Sequence, residues 1–242
     1  MSLAYFLMKN MKKQLLSAFL MISSLLLSSS SMAHNVWLEP TTENSYVMEF
    51  GHEETMGYAK EKLIDVRAID NQGQVIDVKK QYNDDVQKFF FTLDPSTSLV
   101  FLQFNNGTWS TLPNGRTVEK TRQEAPDATT TTNYMKYGKA LLRWDEQATK
   151  QHDVKYELIP QGSPRAGESL AILVLVDGKP MEGIKVGAAE DDVMPTNSQG
   201  LVMYAVQEGT NKVWAEFEEK VDNANQSFDT RMVEYVLTFE GK

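Results

Sequence analysis

The sequence predicts an all-β protein: an N-terminal β-sandwich-like domain followed by a small immunoglobulin-like or transthyretin-like sandwich. Three observations lead there. Apolar residues recur in short alternating runs, the period of a half-buried strand. Turn-forming clusters punctuate the runs, among them Asn71-Gln72-Gly73, Asn105-Asn106-Gly107, Pro113-Asn114-Gly115 and Asp177-Gly178-Lys179-Pro180. The chain has no cysteine, so the fold rests on its core without disulfides.

Taken in order, residues 11–33 read as a secretory signal peptide. Lys12 and Lys13 form its charged region, Leu15–Leu27 its apolar region, and Ser31-Met32-Ala33 its small-residue cleavage site. Met11 directly precedes the lysines and suits a true start. The apolar run is too short to span a bilayer, which takes ~20 residues, so no stable membrane insertion is expected. Cleavage after Ala33 places the mature protein in the periplasm with His34 as its first residue.

The first strand pair is Val36–Glu39 and Tyr46–Phe50, joined through Pro40-Thr41-Thr42-Glu43-Asn44-Ser45. Leu63–Ile69, Val75–Lys79, Lys88–Leu93 and Leu99–Phe104 follow. Residues 116–133, polar and rich in threonine, read as a long loop. Tyr134–Trp144 suits helix and strand alike by periodicity and is read as a strand. Val154–Ile159 ends at Pro160, and residues 161–167 (QGSPRAG) read as a linker. The domains are therefore drawn as 34–160 and 161–242. In the second, Leu170–Val176, Ile184–Ala188, Leu201–Ala205, Lys212–Phe217 and Arg231–Phe239 are strands separated by short glycine turns.

The formal charge is −9, and the leader contributes lysines but no acid, so cleavage makes the chain more acidic still. Phosphate neutralisation needs clustered Lys and Arg, so nucleic acid is excluded as a partner. Without thiolates, zinc-ribbon and Cu(I)-thiolate sites and cysteine nucleophiles are excluded too. No Ser/His/Asp set, P-loop or dinucleotide fingerprint is present, and Gly51-His52-Glu53-Glu54 lacks the second histidine of His-Glu-x-x-His, so no enzyme is expected.

An amino-terminal histidine carries two nitrogen donors, its α-amine and Nδ1, which close a six-membered chelate ring on a metal. The hairpin's own pattern supplies a third. One strand face carries Val36, Leu38, Tyr46, Met48 and Phe50, and matching faces require paired numbers with an even sum. Pairing Pro40 with Tyr46 places Leu38 against Met48, Val36 against Phe50, and His34 against His52. Directly opposed Cβ atoms lie ~4.5–5.5 Å apart, close enough for two imidazoles to share one ion. Nitrogen donors of this kind suit Ni(II), Co(II) or Cu(II), and Zn(II) as an intruder. Amine and imidazole must lose protons to bind, with ordinary pKa values of ~7.7–8.0 and ~6.5, so affinity falls below about pH 7. Glu53, Glu54, Glu39 or water could complete the shell. His152 either joins from the strand before Val154 or is a solvated polar residue.

His34-Asn35-Val36-Trp37-Leu38-Glu39-Pro40 after a signal peptide, followed by Phe50-Gly51-His52-Glu53, resembles a family of bacterial periplasmic proteins. These are known as periplasmic components of cobalt/nickel transport systems, NikM-like, or as a domain of unknown function. Tyr134–Leu141, Tyr156–Pro160 and Val176–Pro180 with Gly183–Val186 resemble further stretches of it, the last in a carboxypeptidase-regulatory-like or transthyretin-like second domain. The resemblance implies His34 and His52 as ligands, and partnership with a membrane metal-uptake system. Trp37 and Glu39 carry over as motif positions: Trp37 for packing, Glu39 as a partner that holds an imidazole. The sequence departs from the family at Glu53-Glu54, where a glycine-rich continuation is usual. Two other readings compete: a copper histidine-brace oxidoreductase with Tyr58 as axial group, and a structural or adhesive sandwich protein that binds no metal.

Overall fold

A computed structural model describes residues 34–52, 54–221 and 227–242. The expected signal peptide and Glu53 lie outside the described residues. The strands are β1 (Asn35–Thr42), β2 (Ser45–Gly51), β3 (Leu63–Asp70), β4 (Val75–Ile76), β5 (Lys79–Asn83) and β6 (Lys88–Thr92). After them come β7 (Thr97–Thr111), β8 (Thr117–Glu119), β9 (Thr130–Leu141), β10 (Tyr156–Pro160) and β11 (Ser169–Val176). The chain closes with β12 (Lys179–Pro180), β13 (Lys185–Ala189), β14 (Asp192–Pro195), β15 (Leu201–Ala205), β16 (Gly209–Lys220) and β17 (Thr230–Gly241). Two single 3-10 turns, Lys60–Lys62 and Glu146–Thr149, are the helical elements among the described residues.

These strands form three sheets, and the all-β sandwich expected from the sequence is what they build. A nine-stranded central sheet runs β14-β13-β16-β17-β9-β7-β3-β4, with β8 on the end of β7. Alternation along its strands sends successive side chains to opposite faces. On one face Val100, Leu102, Phe104 and Ala140 pack against Val36, Leu38, Met48 and Phe50 of a four-stranded sheet, β1-β2-β6-β5. On the other, Leu99, Met135, Val233, Tyr235 and Leu237 pack against Leu158, Leu170, Ile172 and Val174 of a third sheet, β10-β11-β12 with β15. Burying each of the valine, leucine, isoleucine, phenylalanine and methionine side chains among them contributes about 1.5–3 kcal/mol.

The two segments drawn from the sequence meet inside one sheet. β9 and β17 pair in parallel from Thr132 opposite Thr230 to Ala140 opposite Thr238. The boundary at residues 160/161 falls between β10 and β11, which pair with each other. Residues 116–133 are not wholly loop: Thr117–Glu119 adds to β7, and the threonine run opens β9, where β-branched side chains suit the pleat. Tyr134–Leu141 lies in strand, as read.

Gly138 sets the spacing between layers. A Cβ there would stand 3.1 Å from the Val36 carbonyl oxygen and 3.2 Å from Leu102 Cδ1, so glycine lets β1 lie directly on the central sheet. Gly138→Val should lower the unfolding free energy by about 1–3 kcal/mol in urea titration. An unchanged midpoint would show that β1 does not depend on this contact.

A candidate metal centre at the end of the first hairpin

β1 and β2 pair in the register that parity dictates, with Val36 opposite Phe50, Leu38 opposite Met48 and Pro40 opposite Tyr46. The strands run further than the sequence suggests, to Thr42 opposite Ser45, through an irregularity after Pro40. Asn44 closes the tighter turn at φ 54°, a conformation asparagine tolerates better than most residues. At the open end the last pair is Asn35 with Gly51, so His34 and His52 are the next residues on either strand. Gly51 is required there, because a Cβ would meet the Glu54 carbonyl oxygen at 2.2 Å. The chain folds back so that Gly51 bridges Thr55 and the His52 amide donates to Glu54 O at 3.2 Å. Lys88 Nζ pins this turn, donating to Thr55 Oγ1 at 3.1 Å and to Glu49 Oε2 at 2.5 Å.

The two histidines have different settings. The half-buried His34 ring rests on Phe50 with centroids 5.2 Å apart, and Phe50 rests on Phe104 at 4.9 Å. His52 is exposed. Burial holds the His34 imidazole below its usual pKa, and the charges of Lys136 and His52 push the same way. The neutral ring is thereby favoured, and that is the form that ligates metals.

Beside the hairpin end lies a charged row on the central sheet. Strand register sets Lys136 next to Glu234, Glu234 next to Glu216, and Glu216 next to Lys185. Lys136 and Glu234 form an ion pair almost sealed from water. Burial pushes the Glu234 carboxyl up to about 7, against the opposing pull of Lys136, and burial also lowers the Lys136 ammonium. Glu190, just beyond β13, is raised by burial and by Glu216, while His52 and Lys136 draw it down. His34, His52, Lys136 and Glu190 thus share one electrostatic neighbourhood.

The remaining sequence candidates go elsewhere. Glu39 Oε1 accepts the Trp37 Nε1 hydrogen bond at 2.5 Å and pairs with Lys212 Nζ at 3.2 Å, so this one oxygen serves both the tryptophan and the lysine. Lys212 Nζ also stands 3.8 Å from the centre of the buried Trp37 ring, a cation–π contact. His152 belongs to the opposite face of the central sheet. Its Nδ1 lies 2.8 Å from Glu157 Oε1, its ring packs on Phe101, and Glu157 also takes Lys139 Nζ at 2.7 Å. Lys136 and Lys139 point to opposite faces of β9, and each is buried with its own glutamate. Tyr58 is buried in the first core, where its hydroxyl donates to Met48 O at 3.0 Å and accepts from the Phe89 amide at 2.8 Å. These two bonds hold the hydroxyl within the fold.

Among the described residues, no three His, Asp or Glu side chains converge to hold a metal ion. His34 and His52 flank the last pair of the hairpin, and the charge of His52 is felt at the His34 ring. The donor set expected from the sequence fits the place only with the α-amine of a processed His34 as its third member. Sequence reasoning missed Lys136, Glu190 and Glu234. The available signal was a pair of lysines, Lys136 and Lys139, inside the otherwise apolar stretch Tyr134–Leu141.

Residues 31–222 match the family described as a domain of unknown function (DUF4198). An uncharacterized protein of Haemophilus influenzae is 47% identical over 223 residues, spanning 91% of this chain and 96% of its own length. The chain belongs to the DUF4198 family.

The buried carboxyl gives a pH test. Glu234 holds its proton more tightly folded than unfolded, because its pKa rises from 4.5 to about 7. Its contribution to stability is complete below about pH 4.5 and is lost as pH rises through 7. Glu234→Gln lacks that contribution. The wild-type advantage over this variant in urea unfolding should therefore shrink by on the order of 3 kcal/mol between pH 4.5 and 7. A difference that stays constant across that window would mean the carboxyl is ionised throughout.

Proposed function

We propose that this DUF4198 protein is a non-enzymatic periplasmic binder of a transition-metal ion, Ni(II) or Co(II), held at the open end of the β1–β2 hairpin by His34 and His52. One observation carries the reading: the pairing of β1 with β2 leaves the two histidines as consecutive outer positions at one sheet end. The setting of His34 adds support, since its pKa is lowered and the metal-binding form needs no costly deprotonation near neutral pH. Cleavage after Ala33 would add the α-amine and close the chelate with Nδ1 of the same residue. Glu190, Glu216 and Glu234 offset the positive charge that Lys136 brings to the site. Cu(II) and Zn(II) suit the same donors. The link to a membrane metal-uptake system rests on the family resemblance of the amino-terminal motif.

A copper histidine-brace enzyme would use the same terminal histidine. Against it, Tyr58 is buried in the first core, its hydroxyl tied to Met48 O and the Phe89 amide. The large hydrophobic residues exposed among those described are methionine, valine and isoleucine, which offer no flat aromatic face for a polymer.

Calorimetric titration of the chain processed after Ala33 with Ni(II), Co(II), Cu(II) and Zn(II) tests the proposal. One site is expected. His52→Ala should weaken binding by roughly tenfold or more, and so should one alanine inserted before His34, since each removes a first-row metal donor. Affinity should fall as pH drops below about 7. Unchanged binding in both variants would remove the site.

A further inference from the structure

The strands that end the sheets are not protected alike. An edge strand presents unpaired amides and carbonyls, and folded chains blunt such edges with short strands, charges or proline. β4 and β12 are two residues long, and β8 carries Glu119. β1 carries Glu39 and Pro40, β5 Lys79 and Lys80, β10 Glu157 and Pro160, and β14 Asp192 and Pro195. β15, Leu201-Val202-Met203-Tyr204-Ala205, has neither charge nor proline. Its ladder sets Tyr204 opposite Leu170 and Met203 opposite Ala171 of β11. The bonds that continue this ladder at its ends, Val174 N to Gly200 O and Val206 N to Glu168 O, fall on even-numbered residues. Alternation therefore turns the amides and carbonyls of Leu201, Met203 and Ala205 away from β11. Asn197 takes both groups of Leu201, and the Gln207 side chain donates to Ala205 O at 3.3 Å. Met203 and Ala205 are exposed, and among the described residues nothing pairs with the Met203 backbone or the Ala205 amide on that side.

The sheet beneath points the same way. On β14, Met194 pairs with Val186, so the two side chains share a face. Val186 is buried in the core between the central and third sheets, whereas Met194 is 52% exposed. β15 packs over β13, and β14 lies one strand further out, so the third sheet stops short of covering it. We propose that β15 pairs with β15 of a second copy of this chain, antiparallel about a two-fold axis at Tyr204. That axis sets Met203 of each copy opposite Ala205 of the other, the residues whose backbone groups face outward. Each such pair exchanges two hydrogen bonds, and the axis makes the pair twice. A long side chain then meets a short one on the outer face, and no like charges within the strands are opposed. The incoming strand also brings the apolar inner face of Val202 and Tyr204 to the side where Met194 lies open. The strand is thus its own complement. One strand and its flanks make a small contact, so the dimer exchanges with monomer. None of the residues of the metal reading takes part.

Sedimentation equilibrium of the processed chain between about 1 μM and 1 mM should show monomer and dimer in exchange. Met203→Lys changes an exposed side chain, keeps the ladder with β11 and places a charge against the incoming strand. It should weaken dimerisation by about tenfold or more. In the unaltered protein, hydrogen exchange read residue by residue should show the Met203 and Ala205 amides slowing as concentration rises. A monomer at every concentration would leave the edge to an extended segment of a different protein and overturn the proposal. A dimer that Met203→Lys leaves as tight, or two amides that exchange equally fast in monomer and dimer, would place the contact elsewhere and overturn it too.

Discussion

The structure depends on the parallel pairing of β9 with β17. β9 comes from the segment 34–160 and β17 closes the segment 161–242, and their ladder turns two sandwiches into one continuous central sheet. The pairing also settles the two buried lysines. Lys136 reaches Glu234 on β17 itself, while Lys139, three residues on and on the other face, reaches Glu157 on β10. Buried charges survive only when paired and hydrogen-bonded, so both glutamates are conditions of the seam. A slip of one residue would turn Lys136 toward the third sheet and Lys139 toward the first, each facing an apolar core without its partner.

Because the seam fixes which face of β9 carries Lys136, it also fixes where the first hairpin can lie. β1 crosses the central sheet at Gly138, two residues from Lys136 on the same face. The apolar pairs Val36–Phe50 and Leu38–Met48 enter the core there, and the polar end of the hairpin comes out beside the charged row. The site thus sits where an apolar contact ends and a buried ion pair begins. That position accounts for the perturbed groups: His34 is partly desolvated by Phe50 and faces a lysine, and Glu190 is drawn between carboxylates and cations.

The hairpin was legible in the sequence because its information is local. Period-two alternation fixes parity, and parity plus a short connection fixes register, even though the turn proved tighter than expected. Most strands were legible for the same reason. The seam was not, since Lys136 and Glu234 stand 98 residues apart and neither neighbourhood names the other. His152 shows the same limit: its immediate neighbours are polar and suggest a solvated loop, but Glu157 and Phe101 draw it into the second core.

The asymmetry between the two histidines bears on how an ion would be captured. His34 is pre-placed: its ring is fixed on Phe50, which is itself fixed on Phe104, so little side-chain entropy remains to be lost on ligation. His52 is exposed, but its backbone is held by the Gly51–Thr55 bridge and by Lys88 on Thr55. One ring is thus presented rigidly and the other retains rotamer freedom over a fixed Cα. Such a pair accommodates ions of different preferred angles at a modest entropic cost to one side chain, at the expense of discrimination between them. Selectivity among Ni(II), Co(II) and Cu(II) would then come from donors outside the hairpin, and the pocket that His52 lines is the place from which such a donor can reach it.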